Sequence, residues 1–216
     1  GALQEIQAAD LEARARAARH AVLGPEAALG HTADDRAETM VVNLLRGAGP
    51  DGLASIRRGP RHPILDLRRS ETEQVCEIEG IVPFVDPSNV DRTFVRNRVR
   101  HEVLPLLAEI AGRDVVPVLD RQAEVFVSIA DHLRAEAAEL DVTDAAALNA
   151  APVAVARVAV REWLRRDVPE LHPPDAATVE RVLDVARCDA LATDVGGGRR
   201  VERSAMRLRL VPRPRH

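Results

Sequence analysis

The sequence predicts an α/β part over residues 1–111, followed by an all-α part over residues 112–216 that ends in a small β-hairpin. Three observations support this prediction. Helical patterns alternate with short apolar segments in the first half, helical patterns alone fill most of the second half, and a glycine turn with alternating apolar residues closes the chain. Apolar residues make up 46% and charged residues 30% of the 216 positions, which excludes disordered and fibrous proteins.

In the first part, apolar residues recur at helical spacing in four segments. We therefore predict helices over residues 11–23, 34–46, 70–80 and 93–110. Ser70 and Glu73 predict a capping box at the start of the third helix, and Pro105 interrupts the fourth. Short apolar segments predict strands over residues 27–29 and 81–85.

Two strands do not complete an α/β layer. A parallel sheet needs several strands and helices on both of its faces, and the first part offers only these two candidates. We therefore expect further strands of this domain to lie upstream of residue 1.

In the second part, helical patterns follow one another without apolar segments between them. We predict helices over residues 114–140, 144–150, 152–166 and 174–187. A run of three glycines at 196–198, followed by apolar residues that alternate with arginines, predicts the terminal hairpin.

Apolar runs and cysteines limit the class of protein. No apolar run reaches the roughly 18 to 20 residues that a membrane span needs. Cys76 and Cys188 form neither a disulfide framework nor a CxxC pair. We therefore expect a cytoplasmic protein with no membrane partner.

The basic residues are all arginine and are unevenly distributed. Although the formal net charge is −4, seven arginines and one acid follow Val195, and further arginines cluster at 57–69 and 92–100. Such strips are typical of surfaces that contact phosphates. A GC-rich genome would produce the same arginine bias without any such function.

One acidic stripe is a candidate site. His31, Asp35 and Glu38 stand at i, i+4 and i+7, which places them on one face at the start of a helix. Such a stripe can hold Mg²⁺ through water, bind an ammonium group or perform acid–base chemistry. Acids in a first helical turn also interact favourably with the helix dipole, which accounts for Asp34 but explains less well why a histidine and two carboxylates share one stripe.

A second candidate is the segment over residues 86–100. Asp-Pro-Ser-Asn is a turn and cap signature. In the helix that follows, Arg96 and Arg100 share a face, whereas Arg98 points elsewhere. The cluster could bind more than one anionic group, although arginine-rich solvated helices are also common.

These residues carry a resemblance to a known family. The segments GHTADDRAETMVVNLLRGAGPDGLASI, RHPILDLRR and DPSNVDRTFVRNRVRHEVLPLL resemble tRNA(Ile)-lysidine synthetases in order and spacing, and the resemblance continues to the terminal GGGRRVERSAMRLRL. It implies that residues 1–111 are the C-terminal part of a Rossmann-like PP-loop domain, of the adenine nucleotide α-hydrolase-like class. Residues 112–216 would form a helical tRNA-binding domain with the terminal hairpin.

The resemblance also implies an activity. Members of the family use ATP to activate C2 of the wobble cytidine, position 34, in tRNA(Ile) with a CAU anticodon, and free L-lysine then displaces AMP to give lysidine. The implied cofactors are ATP and Mg²⁺, and a homodimer is one assembly that the resemblance permits. By motif, the catalytic residues would be His31, Asp35, Arg96 and Arg98. Asp35, Glu38 and Asn97 would bind lysine or ATP, with no protein-bound metal. The tRNA contacts would be Arg57, Arg58, Arg100, Arg199, Arg200 and Arg203.

The sequence departs from this family at one point. The family's glycine-rich Ser-Gly-Gly-x-Asp-Ser loop, whose backbone N–H groups hold pyrophosphate, is absent from the 216 residues. We therefore predict that these residues alone neither bind ATP tightly nor modify tRNA. Two alternatives stay open: a related PP-loop tRNA-modifying enzyme, and a non-catalytic tRNA-binding remnant.

Overall fold

The structure is a computed structural model that describes residue 24 and residues 27–84, 86, 89, 91–168 and 174–213. Contacts between residues divide the chain into two units, Gly1–Ile129 and Ala130–His216. The functional boundary predicted at residue 111 stays a prediction. The helix predicted over residues 11–23 lies outside the described residues.

The described part of the first unit is built from helices. They are α1 (Ala33–Leu45), α2 (Pro50–Leu53), α3 (Arg69–Ile78), α4 (Val95–Arg98), a π-helical turn (Val99–Val103), α5 (Leu104–Ala111) and the first half of α6 (Val116–Ala138). Thr32 caps α1 in a capping box, because its hydroxyl oxygen accepts from the Asp35 N–H at 3.5 Å and the Asp35 carboxylate accepts from the Thr32 N–H at 2.9 Å. Buried Val41, Val99 and Leu104 form one apolar core of this unit.

Pro105 lies within the helical segment that runs from α4 to α5. It stands in the first turn of α5, where its missing N–H is tolerated. The turn before it is π-helical, and the Leu104 N–H donates to the carbonyl of Val99, five residues earlier. The helical segment therefore continues through Pro105 without the predicted interruption, and the turn before the proline is π-helical.

Three predictions of local structure are wrong. Residues 27–29 and 81–84 form no strand, because no neighbouring strand in the described residues supplies a ladder of hydrogen bonds. Instead, the Leu29 N–H donates to the Arg61 carbonyl at 2.8 Å. The third predicted helix begins one residue early, and the Arg68 N–H donates to the Glu71 carboxylate at 2.6 Å, so Ser70 is not its cap.

The second unit joins helices to a small antiparallel sheet. Its elements after α6 are α7 (Ala145–Ala150), α8 (Val153–Asp167), α9 (Ala176–Ala186), β1 (Ala192–Gly196), β2 (Arg199–Ser204) and β3 (Arg207–Pro212). The sheet order is β1-β2-β3, with Val201 opposite Leu210. Trp163, Leu164 and Leu208 are among the buried residues of the shared core. The terminal hairpin is confirmed and extended by one strand.

The two turns of the sheet both have residues with positive φ, but one turn uses glycines and the other does not. Gly197 and Gly198 connect β1 to β2 with φ of 56° and 67°, which glycine adopts without strain. Ala205 and Met206 connect β2 to β3 with φ of 46° and 62°, which L-residues rarely adopt. No helix among the described residues is both long and apolar enough to pass through a bilayer.

Candidate active site

Glu38 lies at the centre of a cluster of arginines. It points from the second turn of α1, and its side chain has no exposed surface (0%). Its Oε1 accepts from Arg69 Nη2 at 2.9 Å and from Arg100 Nε at 2.7 Å. Its Oε2 accepts from Arg96 Nε at 3.0 Å and from Arg100 Nη2 at 2.9 Å. Three guanidinium groups therefore neutralise one buried carboxylate.

Asp35 joins the same cluster one turn earlier on α1. Its Oδ1 accepts from Arg69 at 3.2 Å and from Arg96 at 3.0 Å, and Arg100 Nη2 lies 3.7 Å away. Its Oδ2 is occupied by Thr32, the cap of α1. The predicted helical face therefore brings Asp35 and Glu38 together, and the predicted cationic segment supplies two of their three partners.

The arginines determine the protonation state of both carboxyls. Burial alone would raise the pKa of Glu38, but the hydrogen bond from Arg100 and the charges of Arg69, Arg100 and Arg96 outweigh burial and hold that pKa below its usual value. Burial likewise opposes the lowered pKa of Asp35, which results from hydrogen bonds of Thr32 and the charges of Arg96 and Arg69. Both groups are ionised at neutral pH.

A second ion-pair group fixes α3 beside α1. Arg68 donates to both oxygens of Asp34 at 3.1 Å, and the Arg69 N–H donates to Asp34 at 2.8 Å. Arg68 also pairs with Asp114. These bonds place the side chain of Arg69 next to Asp35 and Glu38. A cavity of about 200 Å³ is lined by residues of both groups, among them Asp34, Glu38 and Asp114.

His31 lies apart from this cluster. Its Nδ1 is 3.1 Å from Nδ1 of His62, so one imidazole donates to the other. Both rings line a larger cavity of about 540 Å³. The other lining residues are Thr39, Val42, Asn43, Arg46, Ser55, Ile56, Arg57, Thr93, Phe94, Val95 and Arg96. The predicted stripe therefore divides, with its imidazole at one cavity and its carboxylates in the ion-pair cluster.

The remaining residues predicted in the first unit have structural partners. Asn97 is buried and donates to the Asp91 carbonyl at 2.8 Å, which fixes the turn before α4. Arg98 is exposed and pairs with Glu102 on the same helix. Arg58 is held by Asp66, Asp120 and Glu124. Arg57 lines the larger cavity and lies 3.9 Å from Asp51.

The arginines predicted in the second unit lie on β2. Arg203 Nε donates to the carbonyl of Val185 on α9 at 3.0 Å. Arg200 Nε lies 3.5 Å from Glu202, and Arg199 is half-buried at the start of the strand. Their predicted contacts with tRNA, like that of Arg100, which here binds Glu38, stay predictions.

Sequence reasoning did not find Arg69, Arg46 or His62. Arg69 lies 31 residues from Glu38 in the sequence, and only the fold brings them together.

The described residues contain no group of three or more His, Cys, Asp or Glu side chains that could hold a metal ion. Asp35 and Glu38 are occupied by arginines, so any cation, Mg²⁺ included, has to displace an arginine to bind them. The cationic lining of the larger cavity does suit phosphate groups.

Comparison with known proteins gives the family context. A family model described as a PP-loop domain matches residues 2–107. The tRNA(Ile)-lysidine synthase of Cutibacterium acnes is 37% identical over 205 residues, covering 87% of this chain and 63% of that protein. The synthases of Nocardia farcinica and Mycobacterium leprae are each 39% identical, covering 71% of this chain and 53% and 52% of the relative.

The chain therefore spans between half and two thirds of the length of these curated relatives. The matched PP-loop domain agrees with the predicted class, in which an α/β nucleotide-binding part precedes a helical part with a terminal β-sheet. Because the similarity extends through the residues of the carboxylate–arginine cluster and beyond them into the helical region, this chain belongs to the tRNA(Ile)-lysidine synthase family of PP-loop proteins.

Proposed function

We propose that this chain supplies part of an enzyme that ligates lysine to C2 of cytidine 34 in tRNA(Ile) with a CAU anticodon, at the expense of ATP. Its kinship with proteins named tRNA(Ile)-lysidine synthase supports this proposal. ATP would adenylate the C2 oxygen and release pyrophosphate. The lysine ε-amine would then form the N–C2 bond and lose a proton, while the C2–O bond breaks and AMP departs with the oxygen.

The structure supports a lysine site beside α1. A lysine ammonium group needs carboxylates, and the cavity of about 200 Å³ is lined by Asp34, Glu38 and Asp114. Asp35 does not line this cavity but shares Arg69 with Glu38 in the ion-pair cluster. In this proposal, Asp35 and Glu38 attract the ammonium group, and their lowered pKa values keep both ionised for that task.

Arg96 connects lysine binding to adenylation. It bridges Asp35 and Glu38 and also lines the larger cavity. When a lysine ammonium group takes over part of the carboxylate charge, Arg96 becomes able to turn towards an α-phosphate and stabilise its developing charge. Arg98, exposed beside it, is the second candidate donor. Asn97 contributes indirectly by holding the turn before α4.

A chimeric enzyme tests this proposal. The segment of the Cutibacterium acnes synthase that matches this chain would be replaced by residues 1–216, and incorporation of labelled lysine into a tRNA(Ile) CAU transcript would be measured. We expect incorporation that requires both ATP and this tRNA, and none from the 216 residues alone. A chimera that folds and shows pyrophosphate exchange but never incorporates lysine would contradict the proposal.

Two variants of the chimera separate the substrates. Asp35→Asn should raise the KM for lysine at least tenfold, because it removes a carboxylate charge, while ATP–pyrophosphate exchange changes less than threefold. Glu73→Gln is the matched control, since Glu73 is exposed on α3 and no ion pair is recorded for it in the described residues. Equal effects on lysine use and on pyrophosphate exchange would reject the assignment of Asp35.

The burial of Glu38 supports a second candidate function, that of a non-catalytic tRNA-binding protein. Glu38 has no exposed surface in this structure and is bonded by three arginines, which suits a purely structural role. A non-catalytic tRNA-binding protein would then bind the transcript without supporting incorporation of lysine in the chimera.

A further inference from the structure

The π turn before Pro105 changes which residues share a face of the helical segment. In an α-helix, residues five positions apart stand about 140° apart around the axis and face different sides. Val99 and Leu104 are five positions apart, yet both are buried in the same apolar core. Arg100 and Pro105 have the same spacing, yet both line the cavity of about 200 Å³. The extra residue of the π turn therefore brings each pair onto one side of the segment.

Residues on either side of this wide turn keep the α-helical spacing. Arg96 and Arg100 are four positions apart, and both donate to Glu38. Leu104 and Ala108 are also four positions apart, and both line the small cavity. The single wide turn thus allows the segment to place Arg100 on Glu38 while Leu104 stays in the core.

Pro105 stands at the point where the hydrogen-bond register changes. The Leu104 N–H donates to the Val99 carbonyl, five residues earlier, and α5 then continues as an α-helix. Because proline has no N–H, no donor is lost at this point. In an uninterrupted α-helix, the proline ring would clash with the carbonyl of His101, four residues earlier. This clash disfavours the α register before Pro105 and favours a wider turn.

Arg100 is the arginine that holds Glu38 most completely. Arg69 and Arg96 each donate to one oxygen of Glu38, whereas Arg100 donates to both. Burial raises the pKa of Glu38, and the hydrogen bond from Arg100 is the largest of the contributions that lower it. Asp35 is the only other carboxylate recorded with these three arginines among the described residues. A lysine ammonium group that approaches Glu38 therefore competes above all with Arg100.

We propose that Pro105 is a positioning residue of the carboxylate–arginine cluster: it sets the π register that places Arg100 on Glu38, and so limits the negative charge that Glu38 offers to a lysine ammonium group. The proposal rests on the proposed function for the lysine, whereas the placement of Arg100 concerns the chain alone. Without the proline, the turn should return to the α register, in which the Leu104 N–H donates to the Arg100 carbonyl. The Arg100 side chain would then turn away from Glu38.

NMR couplings across hydrogen bonds identify the carbonyl that accepts from the Leu104 N–H. We expect Val99 to be the acceptor in the wild type and Arg100 to be the acceptor in Pro105→Ala. Pro117→Ala is the matched control and should keep Val99, because Pro117 also stands in a first helical turn, is exposed and lies outside the π turn. If Pro105→Ala keeps the bond to Val99, core packing and not the proline sets the register, and the proposal is overturned.

The pKa of Glu38, followed by carbon-13 NMR of its carboxyl group, tests the placement of Arg100. This pKa should rise by about one pH unit in Pro105→Ala, because the carboxylate loses a cation, and should stay unchanged in Pro117→Ala. Global stability is a poor readout here, since replacing a proline also changes the entropy of the unfolded chain. An unchanged pKa in Pro105→Ala would show that Arg100 reaches Glu38 without the proline, which contradicts the proposal.

The chimeric enzyme tests the consequence for lysine. Pro105→Ala should lower the KM for lysine by about threefold or more, because a competing cation leaves Glu38. A proline with a merely structural role would raise this KM when removed, or leave it unchanged, and either result would overturn the competition between Arg100 and lysine. If no chimera makes lysidine, the proposed function fails, while the acceptor of the Leu104 N–H and the pKa of Glu38 still decide whether Pro105 places Arg100.

Discussion

Arg100 donates two parallel hydrogen bonds to Glu38, from Nε to Oε1 at 2.7 Å and from Nη2 to Oε2 at 2.9 Å. This forked geometry is the strongest form of a carboxylate–guanidinium pair. Because Arg100 lies in the π turn and Glu38 lies on α1, the pair joins two helices that are 62 residues apart in the sequence. The carboxylate–arginine cluster therefore also stabilises the packing of two helices within the first unit.

Removing the charge of Glu38 should lower the free energy of unfolding. In Glu38→Gln, one amide replaces a carboxylate that accepts four hydrogen bonds from three arginines, which removes one of the two carboxylates that neutralise those cations. Breaking a buried ion pair costs about 3 kcal/mol or more. We expect urea unfolding to show a loss of about this size, and a change below about 0.5 kcal/mol for the exposed control Glu73→Gln. A loss below about 1 kcal/mol in Glu38→Gln would contradict the central role of this carboxylate.

The same cluster predicts an acid sensitivity. The pKa values of Asp35 and Glu38 lie below their ordinary values of 3.8 and 4.5 in the folded chain. The unfolded chain therefore binds more protons near pH 4 than the folded chain does. The stabilisation from these groups is complete above their ordinary pKa values, and it is lost as the pH falls through the lower pKa values of the folded chain. We expect this contribution to be constant from pH 7 to about 5 and to fall below that.

The variant Glu38→Gln provides the measurement. Its glutamine cannot titrate, so the difference in free energy of unfolding between wild type and variant should shrink steadily as the pH is lowered from 5. Urea unfolding at several pH values would follow this difference. A difference that stays constant or widens towards pH 3 would show that folding does not lower the pKa of Glu38.

Local sequence was sufficient to predict some parts of the structure and not others. The carboxylates of α1 could be placed on one face because a helix repeats every 3.6 residues, and the alignment of Arg96 with Arg100 followed from the same rule. The third arginine, Arg69, could not be predicted, because its position depends on the long-range bond between Asp34 and the start of α3. Strands at 27–29 and 81–85 were predicted from apolar residues alone, yet a strand also requires a partner.

The turn between β2 and β3 escaped prediction because its residues are unsuited to it. Ala205 and Met206 have φ of 46° and 62°, whereas a two-residue turn of this kind favours Asn-Gly. The double variant Ala205→Asn with Met206→Gly should therefore raise the free energy of unfolding by about 1 kcal/mol. The reverse change in the neighbouring turn, Gly198→Ala at φ of 67°, should lower it by a similar amount. Chemical denaturation of both variants checks this, and a destabilised double variant would contradict the strain argument.

The arginines of the terminal sheet should differ in their importance for RNA. Side chains alternate between the two faces of a strand. Arg203 shares the face of buried Val201, and its Nε donates to Val185 in the helical body. Arg209 on β3 alternates with buried Leu208, is exposed and has no recorded ion pair among the described residues. Although the basic strip first pointed to Arg203, the geometry makes Arg209 the better phosphate contact.

Titration of a labelled tRNA(Ile) transcript at several salt concentrations distinguishes the two arginines. Arg209→Ala should weaken binding several-fold and reduce the slope of log K against log salt by about one, because one phosphate contact is lost. Arg203→Ala should leave that slope unchanged and instead lower the stability of the chain, since it removes the bond that holds β2 to α9. If Arg203→Ala reduces the salt slope as much as Arg209→Ala does, the outward face of the sheet is not the RNA-binding face.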